Sequence, residues 1–189
     1  TDMNYTAGLG ATAYEPAVPT GRLSATKPEE VANYLNKILE VENPDIVQDW
    51  QKRGLHLSGG ILDYERLAFR SYLDGFKSTA EGIYWGGSIS TIAKQEPDPV
   101  EIINISDKVN EGLNLITYFG HSAPNLIEID IGFVTDPVFG YNNTGKYPSF
   151  LINGCNAGSV FLNNELLGEI LFLSEKELVM CKKRWPDNT

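Results

Sequence analysis

Two apolar runs, each ending in a reactive side chain next to glycine, decide the fold of this 189-residue chain. The first reads LNLITYFGH over residues 113–121 and ends at His121, and the second reads FLINGC over residues 150–155 and ends at Cys155. Nearly continuous apolar runs of this kind are typical of strands that are covered on both faces, as in a parallel sheet. We therefore expect two buried strands whose carboxyl ends present His121 and Cys155.

Helix and strand patterns alternate around these two runs. The first predicted helix begins at a cap formed by Thr26 with Glu29 and ends at Asn43. Three more helices are predicted over residues 62–78, 101–111 and 164–181. The further strands are predicted at Leu55–Leu57 and Ile83–Ala93, with a bend at Gly86-Gly87, and residues 134–147 are predicted to form a loop. The alternation predicts one α/β domain over residues 1–189 with a mostly parallel sheet.

The composition narrows the chemistry that the chain can perform. Lys and Arg number 15 against 25 Asp and Glu, and the net charge of −10 argues against nucleic-acid binding through overall charge. With two His, two Cys and no Cys-x-x-Cys pair, neither a disulfide-dense scaffold nor a zinc site is expected, and no cofactor is predicted. The Asp and Asn content of residues 134–145 is compatible with structural calcium, although no EF-hand spacing is present. No membrane span is expected, because no run of about 18 apolar residues occurs.

The two reactive side chains fall where α/β sheets gather their functional groups, beyond the carboxyl ends of the strands. If the two strands are neighbours, the His121 imidazole and the Cys155 thiol lie close together. Such a pair can catalyse acyl transfer, because the thiolate attacks a carbonyl while the histidine moves the proton. Backbone N–H groups of Ser122 and Cys155 are the candidate oxyanion hole. The competing interpretation is that Cys155 is an inert packing residue and His121 a hydrogen-bonded surface residue.

The local sequence resembles a known family of cysteine peptidases. Leu115–His121 and Asn153–Cys155 resemble the two catalytic blocks of the gingipain family, which belongs to the caspase-like clan. The 34 positions between His121 and Cys155 suit that family better than the separation of about 50 expected of caspases. Pro19–Leu23 and Asn143–Pro148 are also similar to family segments, and the likeness covers most of residues 15–175. It is greatest to the sortase-like members attached to the type nine secretion system of Bacteroidetes.

This resemblance implies a caspase-like three-layer α/β sandwich and a thiol acyl-enzyme mechanism. Cys155 would be the nucleophile and His121 the general acid and base, with Ser122 and Cys155 at the oxyanion. In the sortase-like members, the implied reaction removes a C-terminal sorting domain from exported protein substrates. The acyl group then passes to water or to an amine on surface lipopolysaccharide. The implied partners are secretion-system components, and the implied location is the exterior or cell surface of a Gram-negative bacterium.

An upstream carboxylate orients the catalytic histidine in some members of that family. Glu65 and Asp63, which follow the predicted strand and Gly59-Gly60, are the candidates by position. The more frequent role of such residues is to lie on the solvated face of a helix, and the sequence does not separate the two carboxylates.

Two other functional hypotheses stay open. The tail after Glu175 is basic and lacks the apolar strand with which family members usually continue, and the chain begins without Met. A fragment of a longer chain is therefore expected. The alternative function is that of a catalytically inactive or truncated relative that acts as a binding or assembly module. A nucleotide-binding domain is the third hypothesis, and it is disfavoured because Gly59-Gly60 lacks both the Walker pattern and the G-x-G-x-x-G spacing.

Overall fold

A parallel sheet forms the centre of the protein. The structure is a computed structural model that describes residues 7–10, 18, 23, 25, 27–43, 47–123, 126–155 and 157. The helices are α1 (Pro28–Glu42), α2 (Asp63–Ala80) and α3 (Ser106–Glu111), with 3-10 turns at Asp49–Lys52 and Pro137–Phe139. The strands are β1 (Arg53–Ser58), β2 (Ser88–Ala93), β3 (Glu101–Ile102), β4 (Leu115–Phe119), β5 (Ser122–Ala123), β6 (Leu126–Ile127), β7 (Ile129–Asp130) and β8 (Ser149–Asn153). Among the described residues, the central sheet has the order β2-β1-β4-β8, and all its pairs are parallel.

The order in which the chain adds strands to the sheet reverses at β1, although the strands themselves stay parallel. It passes from β1 through α2 to β2 on one side, and later adds β4 and β8 on the other. The registers pair Ser58 with Phe119 and Phe119 with Asn153, so β1, β4 and β8 end at the same level. In open α/β sheets, ligands bind in the crevice outside the carboxyl ends of the strands at such a switch point. The topology therefore predicts a binding site at the loops that follow these three strands.

One face of the sheet carries the apolar core. Leu55 and Leu57 of β1 and Ile116 and Tyr118 of β4 are fully buried there. They belong to one cluster with residues from α3, from the position before it and from the segment after it: Ile105, Val109, Leu113, Ile127, Ile129, Ile131 and Val134. Because the full burial of one aliphatic side chain contributes about 1.5–3 kcal/mol, this cluster is a large favourable term in the free energy of folding.

Helix α2 covers the opposite face, which is more polar. Leu73 of the helix is fully buried, and Phe69 packs edge-on against Phe119 with ring centroids 5.1 Å apart. Successive side chains of a strand alternate between faces, so His56 and Ser58 point away from the core that holds Leu57. Three buried side-chain atoms on this face lack a hydrogen-bond partner among the described residues: His56 Nδ1, Ser58 Oγ and Thr91 Oγ1.

The two apolar runs form strands, as predicted, and these strands, β4 and β8, are neighbours. The prediction of burial is wrong for β8, which lies at the edge of the described sheet and exposes Leu151. The α/β class with a mostly parallel sheet is confirmed. The prediction of a helix over residues 101–111 is wrong in its first half. Glu101–Ile102 is a strand that pairs with Ile129–Asp130, and α3 begins only at Ser106, whose N–H donates to Asn104 Oδ1 at 2.8 Å. Tertiary pairing overrides local propensity here, since a two-residue strand gains its hydrogen bonds only from the distant segment.

Helix α1 begins slightly later than the capping pattern predicts. The N–H of Lys27 donates to the carboxylate of Glu30 at 3.0 Å, and Pro28 is the first helical residue. The bond that was predicted for Thr26 and Glu29 is thus made one residue further along. The helix ends at Glu42, before Asn43, as predicted.

Several sequence predictions fall on residues outside the described part. The predicted helix at 164–181, the basic tail and Cys181 lie there. The predicted loop at 134–147 is described and contains the 3-10 turn Pro137–Phe139. Within the described residues, no helix has the length and apolarity needed to span a bilayer.

Strand β1 carries a buried histidine, His56, on the face that α2 covers. His56 is 3% exposed, and burial lowers the pKa of its imidazole below the ordinary 6.5. A hydrogen bond with the backbone of Leu73 and the charges of Asp74 and Glu81 act in the opposite direction, while Lys77 adds to the lowering. The net effect is that the folded state holds His56 in its neutral form at a pH where the unfolded chain already binds a proton.

We expect His56 to make the protein less stable in acid. The contribution is fully present above pH 6.5 and is lost as the pH falls from there towards the lower pKa of the folded state. His56→Gln replaces the imidazole N–H donor by an amide N–H donor and removes the titration, so the free energy of unfolding of the variant should depend less on pH between 7.5 and 5.5. Urea unfolding of both proteins at several pH values measures this difference, and equal slopes would show that His56 does not couple folding to pH.

Candidate active site

Three glycine-containing loops continue the ladder beyond the carboxyl ends of β1, β4 and β8. The Gly59 N–H donates to the Phe119 carbonyl at 2.8 Å, and the Gly120 N–H donates to the Asn153 carbonyl at 3.3 Å. His121 and Cys155 each lie two residues beyond the aligned pair Phe119 and Asn153. Because neighbouring strands are about 4.8 Å apart, this pairing brings the loop that contains His121 next to the loop that contains Cys155.

Helix α2 supplies the partners of the His121 ring. Glu65 and Phe69 are one helical turn apart and therefore share a face of the helix. Glu65 Oε1 lies 3.3 Å from His121 Nε2, and the Phe69 ring lies edge-on to the imidazole with centroids 5.5 Å apart. The imidazole keeps 49% of its surface exposed, so the ring is oriented on one side and accessible on the other.

The Glu65 carboxylate is itself fixed by the start of α2. Its Oε2 accepts the N–H groups of Leu62 at 3.0 Å and Ile61 at 3.1 Å. These bonds, with Leu62 as the largest cause, and the nearby His121 lower the pKa of Glu65, against a smaller opposing effect of desolvation. Glu65 is therefore ionised at neutral pH and can accept a hydrogen bond from the Nε2–H of His121. A neutral His121 that donates from Nε2 presents Nδ1 as its free base.

Asp63 is the carboxylate that faces solvent. Its side chain is 91% exposed and forms an ion pair with Arg66, one turn along the same helix. Glu65 has an exposed fraction of 18% and contacts His121. The solvated role that the sequence favoured for both residues thus fits Asp63 and not Glu65.

Ser122 links the loop of His121 to the loop of Cys155. Its Oγ donates to the Cys155 carbonyl at 2.7 Å, and its backbone pairs with Ile127 in the hairpin of β5 and β6. The two loops approach closely, because a Cβ placed on Gly154 would lie 2.3 Å from Ser122 Oγ. Cys155 carries a free, exposed thiol. The Ser122 side chain therefore adds a hydrogen bond between the two loops.

Sequence reasoning missed Glu128. This residue is 2% exposed, and its Oε2 accepts the N–H groups of Gly60 at 2.7 Å and His121 at 3.1 Å. It alternates with Ile127 and Ile129, which is the pattern of a strand with one solvated face, so the sequence carries no signal for a buried carboxylate.

No metal cluster marks this edge of the described sheet. Among the described residues, no three His, Cys, Asp or Glu side chains are grouped to hold a metal ion. A cavity of about 360 Å³ lies at the other end of β8, between α1 and Ser149-Phe150, and neither His121 nor Cys155 lines it.

We expect Gly154→Ala to destabilise the protein by roughly 1–3 kcal/mol, since the added methyl group collides with Ser122 across a gap that cannot admit it. The double variant Gly154→Ala/Ser122→Gly should recover part of this loss, because it removes the colliding atoms. Gly75→Ala is the matched control within α2. Its Cβ meets nothing within 4 Å, so the better helix former should stabilise by up to about 1 kcal/mol. Denaturant unfolding of the three variants measures these differences, and a neutral Gly154→Ala would contradict the close approach of the loops.

Comparisons with known proteins agree with this architecture. The crystal structure of the Arg-specific cysteine proteinase gingipain R (RgpB) is similar with a TM-score of 0.66 and 19% identity, covering 96% of this chain and 41% of that chain. The complex of Porphyromonas gingivalis RgpB pro- and mature domains gives a TM-score of 0.68 and 19% identity, covering 93% and 41%. A further structure, described as a protease, gives a TM-score of 0.67 and 20% identity, covering 95% and 38%. The likeness shows a shared fold.

The chain spans about two fifths of the length of these structures. A search of curated proteins finds no match. The sequence profile of peptidase family C25 matches residues 1–179, which is nearly the whole chain and includes both apolar strands with their reactive ends. The chain therefore belongs to peptidase family C25.

Proposed function

We propose that the protein is a cysteine peptidase of the gingipain type, in which Cys155 is the nucleophile and His121 the general acid and base. The main support is the contact between His121 Nε2 and Glu65 Oε1 at 3.3 Å, combined with the hydrogen bond from Ser122 Oγ to the Cys155 carbonyl, which joins the loop of His121 to the loop of Cys155. An ionised carboxylate on one ring nitrogen stabilises the imidazolium that forms during acyl transfer. Membership of a peptidase family supports the same assignment.

The chemistry follows from these roles. His121 Nδ1 takes the proton from the Cys155 thiol, and the sulfur attacks the carbonyl carbon of a peptide bond. The N–H groups of Ser122 and Cys155 are the proposed donors to the oxyanion. When the tetrahedral intermediate collapses, the C–N bond breaks and the leaving amine takes the proton from His121. A thioester on Cys155 remains. Water or an amine then attacks it after giving a proton to His121, and the thiolate leaves.

The finer proposal is a sortase-like reaction on exported proteins. In this reaction the enzyme removes a C-terminal sorting domain and passes the acyl group to an amine of surface lipopolysaccharide. The partners would be components of the type nine secretion system, at the surface of a Gram-negative bacterium. Its support is the resemblance of Leu115–His121 and Asn153–Cys155 to the sortase-like members. Adding hydroxylamine to a cleavage reaction distinguishes an acyl transferase, which forms the hydroxamate, from an enzyme that accepts water alone.

We expect iodoacetamide to alkylate Cys155 faster than Cys181, because His121 promotes formation of the thiolate. His121→Ala should slow the labelling of Cys155 at pH 7 by about tenfold, because the thiolate is the reactive form and the thiol loses the base that takes its proton. Peptide mass spectrometry after timed quenching measures both rates in one sample, and Cys155→Ala identifies the labelled site. Slow and equal labelling of the two thiols would contradict a working dyad. Fast labelling of Cys155 without cleavage of a fluorogenic peptide library would favour the inactive relative.

We expect Glu65→Gln to reduce kcat/KM for cleavage by roughly tenfold or more, since an uncharged amide stabilises the imidazolium less than a carboxylate does. Asp63→Asn is the matched control on the same turn of α2. Its exposed side chain pairs with Arg66 and does not contact His121, so kcat/KM should stay at the wild-type value. Equal effects of the two substitutions would contradict the proposed role of Glu65.

A further inference from the structure

A buried carboxylate joins the two loops that meet at the switch point of the sheet. Glu128 Oε2 accepts one N–H from Gly60, after β1, and another from His121, after β4. A carboxylate that is 2% exposed is costly to bury unless such donors stabilise it. Hydrogen bonds to a charged acceptor are about twice as strong as neutral ones. One oxygen atom thus holds the backbones of both loops.

The glycines of these loops leave the space for that carboxylate. A Cβ on Gly59 would lie 2.2 Å from Glu128 Oε2, and a Cβ on Gly120 would lie 2.9 Å from the same atom and 2.5 Å from Tyr118 Oη. Atoms cannot approach this closely without displacement. The glycines before Gly60 and His121 therefore shape a cradle for the Glu128 carboxylate.

The carbonyl of His121 is held as firmly as its N–H. The hydroxyl of Tyr118 donates to this carbonyl, and the N–H of Glu128 lies 3.3 Å from Tyr118 Oη and 3.4 Å from the carbonyl oxygen. Burial and the neighbouring Glu128 raise the pKa of Tyr118, so the hydroxyl keeps the proton that it donates. Both polar groups of the His121 backbone are thus fixed by residues 118 and 128.

The Gly60 loop also determines the position of the histidine's partner. The N–H of Gly60 binds Glu128, and the next two N–H groups, of Ile61 and Leu62, bind the carboxylate of Glu65. Three successive backbone N–H groups of this turn therefore bind the carboxylates of Glu128 and Glu65, which fixes the two carboxylates relative to each other. Moving Gly60 away from His121 would move Glu65 away from the imidazole as well.

We propose that Glu128 is a positioning residue for catalysis, which sets the spacing between the loop of His121 and the turn that carries Glu65. The inference rests on the proposed function, in which His121 is the general acid and base. Glu128 acts through the backbone and touches neither the imidazole nor the thiol in any contact of the described residues. Its effect on reactivity is therefore expected only while His121 is present.

Two substitutions separate the acceptor oxygen from the rest of the side chain. Glu128→Gln retains a carbonyl oxygen for Gly60 and His121, and its amide nitrogen takes the place of Oε1, which has no hydrogen-bond partner among the described residues. Glu128→Leu keeps a side chain of similar size and removes the acceptor. Glu81→Leu is the control for a general loss of stability, because Glu81 Oε1 accepts the Ile89 N–H at the opposite end of the sheet.

The test is the pH profile of Cys155 alkylation by iodoacetamide, which requires no substrate. Glu128→Leu should shift the profile to higher pH and slow labelling at pH 7 by about tenfold, as His121→Ala does. Glu128→Gln and Glu81→Leu should retain the wild-type profile. In the His121→Ala background, Glu128→Leu should cause no further slowing, since the two residues act as a unit.

Each other result has a defined meaning. If His121→Ala leaves labelling unchanged, the proposed function fails. If His121→Ala slows labelling while Glu128→Leu does not, the positioning role alone is overturned. It is also overturned if Glu128→Leu slows labelling equally in both backgrounds, or if Glu128→Gln is as impaired as Glu128→Leu. Should Glu128→Leu not fold, Glu128→Asp replaces it in both backgrounds. Because Asp keeps the charge and withdraws the oxygen by one methylene, unchanged labelling would overturn the proposal.

Discussion

The parallel pairing of β4 with both β1 and β8 is the constraint on which the other features depend. It aligns Ser58, Phe119 and Asn153, and it continues into the loops through Gly59 and Gly120. A slip by one residue would turn every side chain to the other face and separate the two reactive ends. Since the core side chains of β4 are buried to completion, the hydrophobic pattern holds this register, and the site inherits its geometry from the core.

Carboxylates bound by backbone N–H groups organise the edge of the sheet. Glu65 and Glu128 both accept N–H groups of the turn after β1, and each also reaches His121, one at the ring and the other at the backbone. At this edge of a chain with a net charge of −10, the two carboxylates thus gain their hydrogen bonds from oriented backbone N–H groups.

The sequence predicted the parts of the fold that local pattern determines. The strands β4 and β8 follow directly from unbroken apolar runs, and α2 from helical spacing after Gly59-Gly60. The strand β3 could not be predicted, because its two residues are extended only by pairing with β7. Sequence could not separate Glu65 from Asp63, since the turn at Ile61-Leu62 decides which residue of the helix faces His121. Glu128 could not be predicted as a buried residue either, because its alternation with Ile127 and Ile129 is also the pattern of a strand with one solvent-exposed face.

The carboxylate cradle has an evolutionary consequence. The residues at positions 59, 120 and 128 depend on one another. A side chain on Gly59 or Gly120 would occupy the space of the Glu128 oxygen. Loss of the carboxylate alone would leave the N–H groups of Gly60 and His121 without their acceptor. A lineage can therefore place a side chain at Gly59 or Gly120 only if the Glu128 carboxylate moves or is replaced as well.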